Sequence, residues 1–136
     1  MPRRRRVLVA AFASLCAIAA LAALLYALVG NPFNPFDDRR FKAAAWQNAA
    51  PDVRARMSED LVKHHLPVGM SESQVVALLG KPFDVEEGET EAPLHTGTRH
   101  LMYDLGNWSM HGMDDAYVYV HLDEKGNVVA AEVYGY

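Results

Sequence analysis

The chain has 136 residues, of which 51% are hydrophobic, and it carries a formal net charge of −4. Arg3 to Arg6 form its longest basic run, and beyond them nine basic residues face 17 acidic ones, a balance of −8. This acidic excess repels phosphate backbones and so excludes nucleic acid as an expected partner. The single cysteine, Cys16, excludes an internal disulfide.

Residues 7–29 form an uncharged apolar stretch that, as a helix, would be roughly 35 Å long and would cross a bilayer. Basic residues precede this stretch and no acidic residue does, which places the N-terminus in the cytoplasm. We therefore predict that residues 1–30 are an inner-membrane, single-pass anchor. The domain that follows is then extracytoplasmic, in the periplasm.

A cleaved signal peptide and a lipoprotein are the alternatives to an anchor. Ala20-Leu21-Ala22 matches a signal-peptidase site, but the apolar core is longer than the roughly 7 to 15 residues of a cleaved signal. A lipoprotein is disfavoured because bulky Leu15 precedes Cys16, which lies in the middle of the stretch. The uncleaved anchor is the preferred interpretation.

Residues 31–36 contain two prolines and are predicted to be a stiff spacer before a domain at residues 37–136. Residues 37–50 show apolar positions at helical spacing. After Pro51, apolar residues recur every fourth position until Pro67, namely Val53, Met57 and Leu61. This periodicity predicts a second helix.

The strongest local signal follows. Ser71 and Gln74 have the spacing of a capping box, in which each side chain bonds the other residue's amide. A short apolar face then precedes Gly80 and Pro82, which favour a helix end. The residues of that face are Val75, Leu78 and Leu79.

The rest of the domain is predicted to be β-structure. Residues 83–98 are acidic and are expected to be a solvated loop, whereas residues 99–105, 116–122 and 128–134 alternate as strands do. We therefore predict an α+β fold, αα-βββ, with helices packed on one face of a three-stranded antiparallel sheet.

Residues 66–82 resemble the signature G-M-[ST]-x-x-x-V-x-x-L-L-G-x-P of the SmpA/OmlA family, the BamE-like envelope proteins. The matching positions are Gly69, Met70, Ser71, Val75, Leu78, Leu79, Gly80 and Pro82, and residues 103–106 and 122–128 also resemble the family's strand and turn. The resemblance implies a scaffold of the bacterial envelope rather than a catalyst. This chain departs from the family in lacking a lipid-attachment cysteine, and capping and packing alone also explain the signature.

Four histidines of the strand half lie near carboxylates: His95, His100, His111 and His121. His121 with Asp123, joined by His111 with Asp114, would make a conceivable zinc or copper site. No metal-ligand spacing such as H-E-x-x-H supports it, so no metal and no cofactor are expected. Ser109 near His111 and Asp114 is likewise taken as coincidence, and no enzyme is predicted.

Alternation provides the functional hypothesis. If Val118, Val120 and Leu122 face the helices, the other face carries an open set of aromatic, histidine and methionine side chains: Tyr117, Tyr119, His121, His100, Met102 and Tyr134. We predict that this face binds an envelope protein or peptide. Cross-strand pairs that only stabilise the sheet remain an alternative interpretation. Two other functions also stay open, a metal- or small-ligand-binding sensor and a cleaved, inhibitor-like periplasmic module.

Overall fold

The computed structural model describes residues 3–29, 34–108 and 115–135. The chain divides into two compact units, residues 1–35 and residues 36–136.

The first unit is a single long helix, α1 (Arg3–Val29). Within it, Val7–Leu28 has a mean hydropathy of 2.6 and is long and apolar enough to cross a membrane, and its side chains are exposed. Signal sequences have the same properties, so this helix fits either an anchor or a signal.

The second unit is α+β. After a 3₁₀ turn at Pro35–Asp37 come four helices, α2 (Ala43–Asn48), α3 (Pro51–Ala55), α4 (Ser58–His64) and α5 (Glu72–Leu79). Four strands follow, β1 (Asp84–Glu87), β2 (Arg99–Asn107), β3 (Asp115–Leu122) and β4 (Val128–Tyr134). They form one antiparallel sheet in the order β1-β2-β3-β4.

The predicted number of strands is wrong, because the sheet has four strands rather than three. The additional strand, β1, lies in the segment that its acidic composition predicted to be a solvated loop. Asp84 pairs with Met102 and Glu87 with Arg99, and the Phe83 amide donates to the Met102 carbonyl at 2.8 Å. Pairing with the edge of β2 satisfies the backbone amides and carbonyls of β1. This pairing is a tertiary contact, so the local composition of β1 does not predict it.

The first predicted domain helix, residues 37–50, is shorter than expected. The Phe41 amide donates to the Asp60 carboxylate at 2.8 Å, and the Arg39 amide donates to the Arg56 carbonyl at 3.0 Å. Asp38 also pairs with Arg56 at 2.6 Å. These bonds keep residues 38–42 out of a helix, so that the helix begins only at Ala43.

The second predicted helix is two helices, α3 and α4, which are separated at Arg56 and Met57. The Met57 amide donates to the Arg54 carbonyl, a bond to the third preceding residue that tightens the chain at this point. The predicted apolar positions are correct nevertheless, because Met57 and Leu61 are buried.

The capping box of α5 is confirmed. The Ser71 hydroxyl accepts the Gln74 amide, and the Gln74 side-chain oxygen accepts the Ser71 amide at 2.9 Å. Val75 and Leu79 are buried, whereas Leu78 is only half-buried. Gly80 follows with a φ of +83°.

The segment that leads into α5, residues 69–72, runs beside the β3–β4 turn and the start of β4. The Gly69 amide donates to the Val128 carbonyl, and the Val128 amide donates to the Met70 carbonyl, both at 2.8 Å. The Glu72 amide donates to the Gly126 carbonyl at the same distance. The signature segment therefore caps a helix and also bonds to the sheet.

The main core lies between the helices and one face of the sheet. Trp46 of α2 and Leu61 of α4 are fully buried there. The strands contribute buried side chains to the same cluster: Leu101, Tyr103, Leu105, Val118, Val120 and Leu122. The alternation in β3 was thus interpreted correctly, and it leaves the opposite face of the sheet, here called the outer face, for other contacts.

Candidate functional site

The predicted interaction residues do share the outer face. Strand pairing sets His100 opposite His121, Met102 opposite Tyr119, and Tyr134 opposite Tyr117. Directly paired residues of an antiparallel sheet point to the same side. The structure therefore brings all six residues together.

The predicted openness of this face is wrong for four of the six. The exposed fraction is 7% for Met102, 4% for Tyr119, 1% for His100 and 0% for His121. Residues 88–98, here called the covering loop, lie over them, and fully buried Ala92 packs against Met102 and Tyr119. The acidic segment that was expected to be solvated thus covers one end of the outer face.

Backbone bonds hold the ends of the covering loop. The Gly88 amide donates to the Thr98 carbonyl at 2.9 Å, and the Thr98 amide donates to the Leu122 carbonyl at 2.8 Å. Gly97 lies so close to the sheet that a β-carbon there would be 2.7 Å from the Leu122 carbonyl oxygen. Only glycine permits this approach without a shift of the backbone.

Under the covering loop, two histidines and a carboxylate form a chain of contacts. His100 Nε2 donates to the Gly88 carbonyl at 2.8 Å, the two Nδ1 atoms of His100 and His121 are 2.8 Å apart, and His121 Nε2 lies 3.0 Å from Glu132 Oε1. The Leu94 amide of the covering loop also donates to Glu132, at 3.1 Å. All four ring nitrogens are engaged, so the pair has no free nitrogen for a metal or a substrate.

The geometry determines how many protons these three contacts need. Three contacts need three protons, whereas two neutral imidazoles supply two. Because the Gly88 carbonyl and Glu132 take the two Nε2 protons, two neutral imidazoles leave no proton for the contact between the two Nδ1 atoms.

Burial lowers the pKa of His121, because a charged imidazolium is poorly solvated in the sheet. The hydrogen bond to Glu132 acts in the opposite direction, and the neighbouring His100 lowers the pKa further. The pKa of His121 is therefore lower than the ordinary histidine value.

A cavity of about 380 Å³ lies beside the buried pair. Its lining mixes polar and apolar surface and consists of Gly88, Glu89, Thr90, His95, Gly97 and His100. His95 has a φ of +42°, a left-handed conformation that non-glycine residues adopt uncommonly. The cavity is large enough to hold a small molecule.

The conceivable metal site is not assembled in the described parts of the chain. Asp123 accepts the amides of Lys125 and Asn127 within its turn, while His121 contacts Glu132 instead. Ser109, His111 and Asp114 lie outside the described residues. Among residues 3–29, 34–108 and 115–135, no three histidine, cysteine or carboxylate side chains group as metal ligands do.

At the other end of the outer face, aromatic rings reach solvent. Phe83 is 66% exposed, and its ring lies 6.0 Å from that of Tyr117. Tyr117 lies 6.3 Å from Tyr119, which in turn lies 6.0 Å from Tyr134. Phe83, Tyr117 and Tyr134 are here called the aromatic patch, and Tyr119 is the buried ring that joins them.

Carboxylates surround the aromatic patch. Burial raises the pKa of the Tyr117 phenol, and the negative charges of Asp115, Asp104 and Asp84 raise it further. Burial together with Glu86 raises the pKa of Tyr119 to about 12. These residues come from three strands, so the patch lies in a negative field that the whole sheet creates.

Sequence reasoning missed Phe83, Glu132 and the covering loop. Glu132 is the only charged residue of β4, and a lone charge in an apolar strand was a usable signal for a buried polar contact. Nothing in the local sequence of Phe83 indicates that its ring packs on Tyr117, since that contact depends on β1.

We find no protein-family model, curated protein or solved structure that matches this chain. The SmpA/OmlA resemblance therefore rests on its sequence motif alone and stays a prediction.

Proposed function

We propose that this chain is a membrane-anchored, extracytoplasmic protein-interaction module of the bacterial cell envelope. Its aromatic patch binds a second envelope protein, and α1 holds it in the inner membrane with the N-terminus in the cytoplasm. The observation that carries the proposal is the aromatic patch, with Phe83 66% exposed, at the end of the outer face that the covering loop leaves open.

The patch supports this function by its composition and its setting. Phe83 exposes two thirds of its surface although Tyr117 is within packing distance. Exposed contiguous aromatic surface is typical of protein interfaces, where phenylalanine and tyrosine are enriched. The buried histidine pair, by contrast, has no surface to offer a partner.

Length, composition and charge support the anchor. α1 contains 22 consecutive residues suited to a bilayer, and the four arginines precede them. The SmpA/OmlA resemblance supports an envelope scaffold, while the missing lipid-attachment cysteine favours the inner over the outer membrane. The scaffold role is therefore proposed at the inner membrane.

Topology and binding need separate experiments. A C-terminal alkaline phosphatase fusion should be active, and a reporter that works only in the cytoplasm should be silent. A mature protein that begins near residue 23 would instead support the cleaved, inhibitor-like module.

Binding is tested by photo-crosslinking in intact cells. A photoreactive residue in place of Phe83 should capture a discrete partner, whereas one in place of Val68, which is 76% exposed, should not. Equal capture from both positions, or none from Phe83, would contradict the proposed site.

A second candidate function is small-ligand sensing, which the cavity beside His100 favours. A ligand of the folded state raises the melting temperature by mass action. Zinc, phosphate and small carboxylates can be screened in this way, with a chelator control for the metal.

A further inference from the structure

We propose that the aromatic patch and its surrounding carboxylates bind an extended, lysine- or arginine-rich segment of the partner protein. This inference rests on the proposed function and adds the chemistry of the partner. It follows from the rings and charges that the sheet brings together at one end of the outer face.

The ring arrangement suits a cation. The rings of Phe83, Tyr117, Tyr119 and Tyr134 follow one another in a row, with centroid separations of 6.0, 6.3 and 6.0 Å. Ring faces attract ammonium and guanidinium groups, and their edges accept the apolar stems of lysine and arginine. Rings in a row can accept side chains that project from one face of an extended peptide.

The charges select among partners. Asp84, Asp104 and Asp115 all act on Tyr117, and Glu86 and Glu91 act on Tyr119. An apolar segment that covered these carboxylates would desolvate them without replacing the lost water contacts, and an acidic segment would be repelled. A basic segment neutralises them while it covers the rings.

The excess of carboxylates extends beyond the patch. Residues 31–136 carry a formal charge of −8, which would also speed the approach of a basic segment. The chain's own basic cluster, Arg3–Arg6, is separated from the patch by the membrane in the proposed topology. The N-terminal arginines of a second copy are therefore not the source of the segment.

The direct test measures binding to the full-length protein in maltoside micelles, which carry no charge. The probe is a fluorescent peptide of alternating lysine and alanine, and the control is its glutamate–alanine counterpart. We expect only the lysine peptide to bind, and to bind more weakly as salt is raised, because exposed charges are screened. Equal binding of the two peptides would overturn the proposal.

Three variants locate the binding. Phe83→Ala, and the double change Asp84→Asn with Asp115→Asn, should each weaken binding about tenfold, the scale of a cation–π contact or a lost charge pair. Asparagine keeps the oxygen that accepts the Val85 amide in the first case and the Tyr117 hydroxyl in the second. Val68→Ala, at an exposed position outside the patch, should leave binding unchanged. Wild-type binding by both patch variants would show that the peptide binds elsewhere.

Two further measurements separate this inference from the function on which it rests. Spermidine and phosphatidylcholine vesicles present cations without a peptide; if either binds the patch as tightly as the lysine peptide does, recognition is of cations and not of a protein segment.

In cells, the segment crosslinked to position 83 should contain lysine or arginine. A discrete partner captured through a segment without them would overturn the inference and leave the proposed function standing, whereas no capture would overturn both.

Discussion

The two ends of the outer face are built from the same strands but differ in what covers them. At one end His100 and His121 are sealed beneath the covering loop, and at the other Phe83 and Tyr117 reach solvent. Alternation in β2 and β3 treats both ends alike. The difference shows that strand pattern determines the face of a residue, while a distant segment of the chain determines its exposure.

The largest contrast should come from two neighbouring tyrosines of β3. Tyr119→Ala should lower the free energy of unfolding by about 2 to 4 kcal/mol, because it opens a cavity between the sheet and Ala92. Tyr117→Ala should cost about 1 kcal/mol, because its side chain is only half-buried. Thermal melts of the full-length protein in micelles measure both, and equal costs would show that the covering loop does not pack as described.

The next effect concerns the point at which the covering loop contacts the sheet. Gly97→Ala should destabilise the protein by about 1 to 3 kcal/mol, because its β-carbon meets the Leu122 carbonyl and its φ is +82°. Gly88→Ala is the matched control, since Gly88 has a φ of +88° with nothing within 4 Å of an added β-carbon. The difference between the melting temperatures of the two variants measures the cost of the contact between the added β-carbon and the Leu122 carbonyl. Identical losses would mean that the backbone conformation alone matters.

A smaller effect distinguishes the ends by pH. Because burial lowers the pKa of His121, the unfolded chain binds this proton at higher pH than the folded one does. Stability should therefore fall as the pH drops through the ordinary histidine value of 6.5 towards the lowered one. The groups that face His121 are His100 of β2, Glu132 of β4 and the stacked ring of Tyr119.

His121→Gln is the matched variant for this measurement, since its amide can still donate to Glu132 but does not titrate. Melting temperatures between pH 7.5 and 5.5 should decline less in this variant than in the wild type. An unchanged slope would assign the dependence to other groups.

The smallest effect on stability belongs to the uncovered end. Phe83→Ala should change the free energy of unfolding by no more than about 0.5 kcal/mol, because most of the ring is already in water. Its effect should appear in partner capture instead. A large loss of stability would indicate that the aromatic patch is structural.

The features that could be predicted from sequence are those encoded within a few residues. The capping box at Ser71 and Gln74, and the return strand Val128–Tyr134, follow from spacing and alternation alone. β1 could not be predicted, because three carboxylates in four residues oppose a strand until β2 offers its edge. The late start of α2, after Lys42, was missed for the same reason. The Phe41 amide there bonds to Asp60, which lies 19 positions away in the sequence.

The candidate site divides in the same way. The shared face of Tyr117, Tyr119 and His121 was predictable, since it depends only on the period of the strand. Their exposure was not, because it depends on the Leu94–Glu132 bond and on the approach that Gly97 permits. Those contacts join residues that local patterns treat separately.

The bonds between residues 69–72 and β4 have a consequence for solubility. β4 is an edge strand with a single charged residue, and such edges offer unpaired amides and carbonyls to strands of other molecules. Gly69 and Met70 occupy both backbone groups of Val128, so polymerisation through that end of the strand is blocked. Weakening this short segment should therefore appear first as aggregation in concentrated samples, before the sheet itself unfolds.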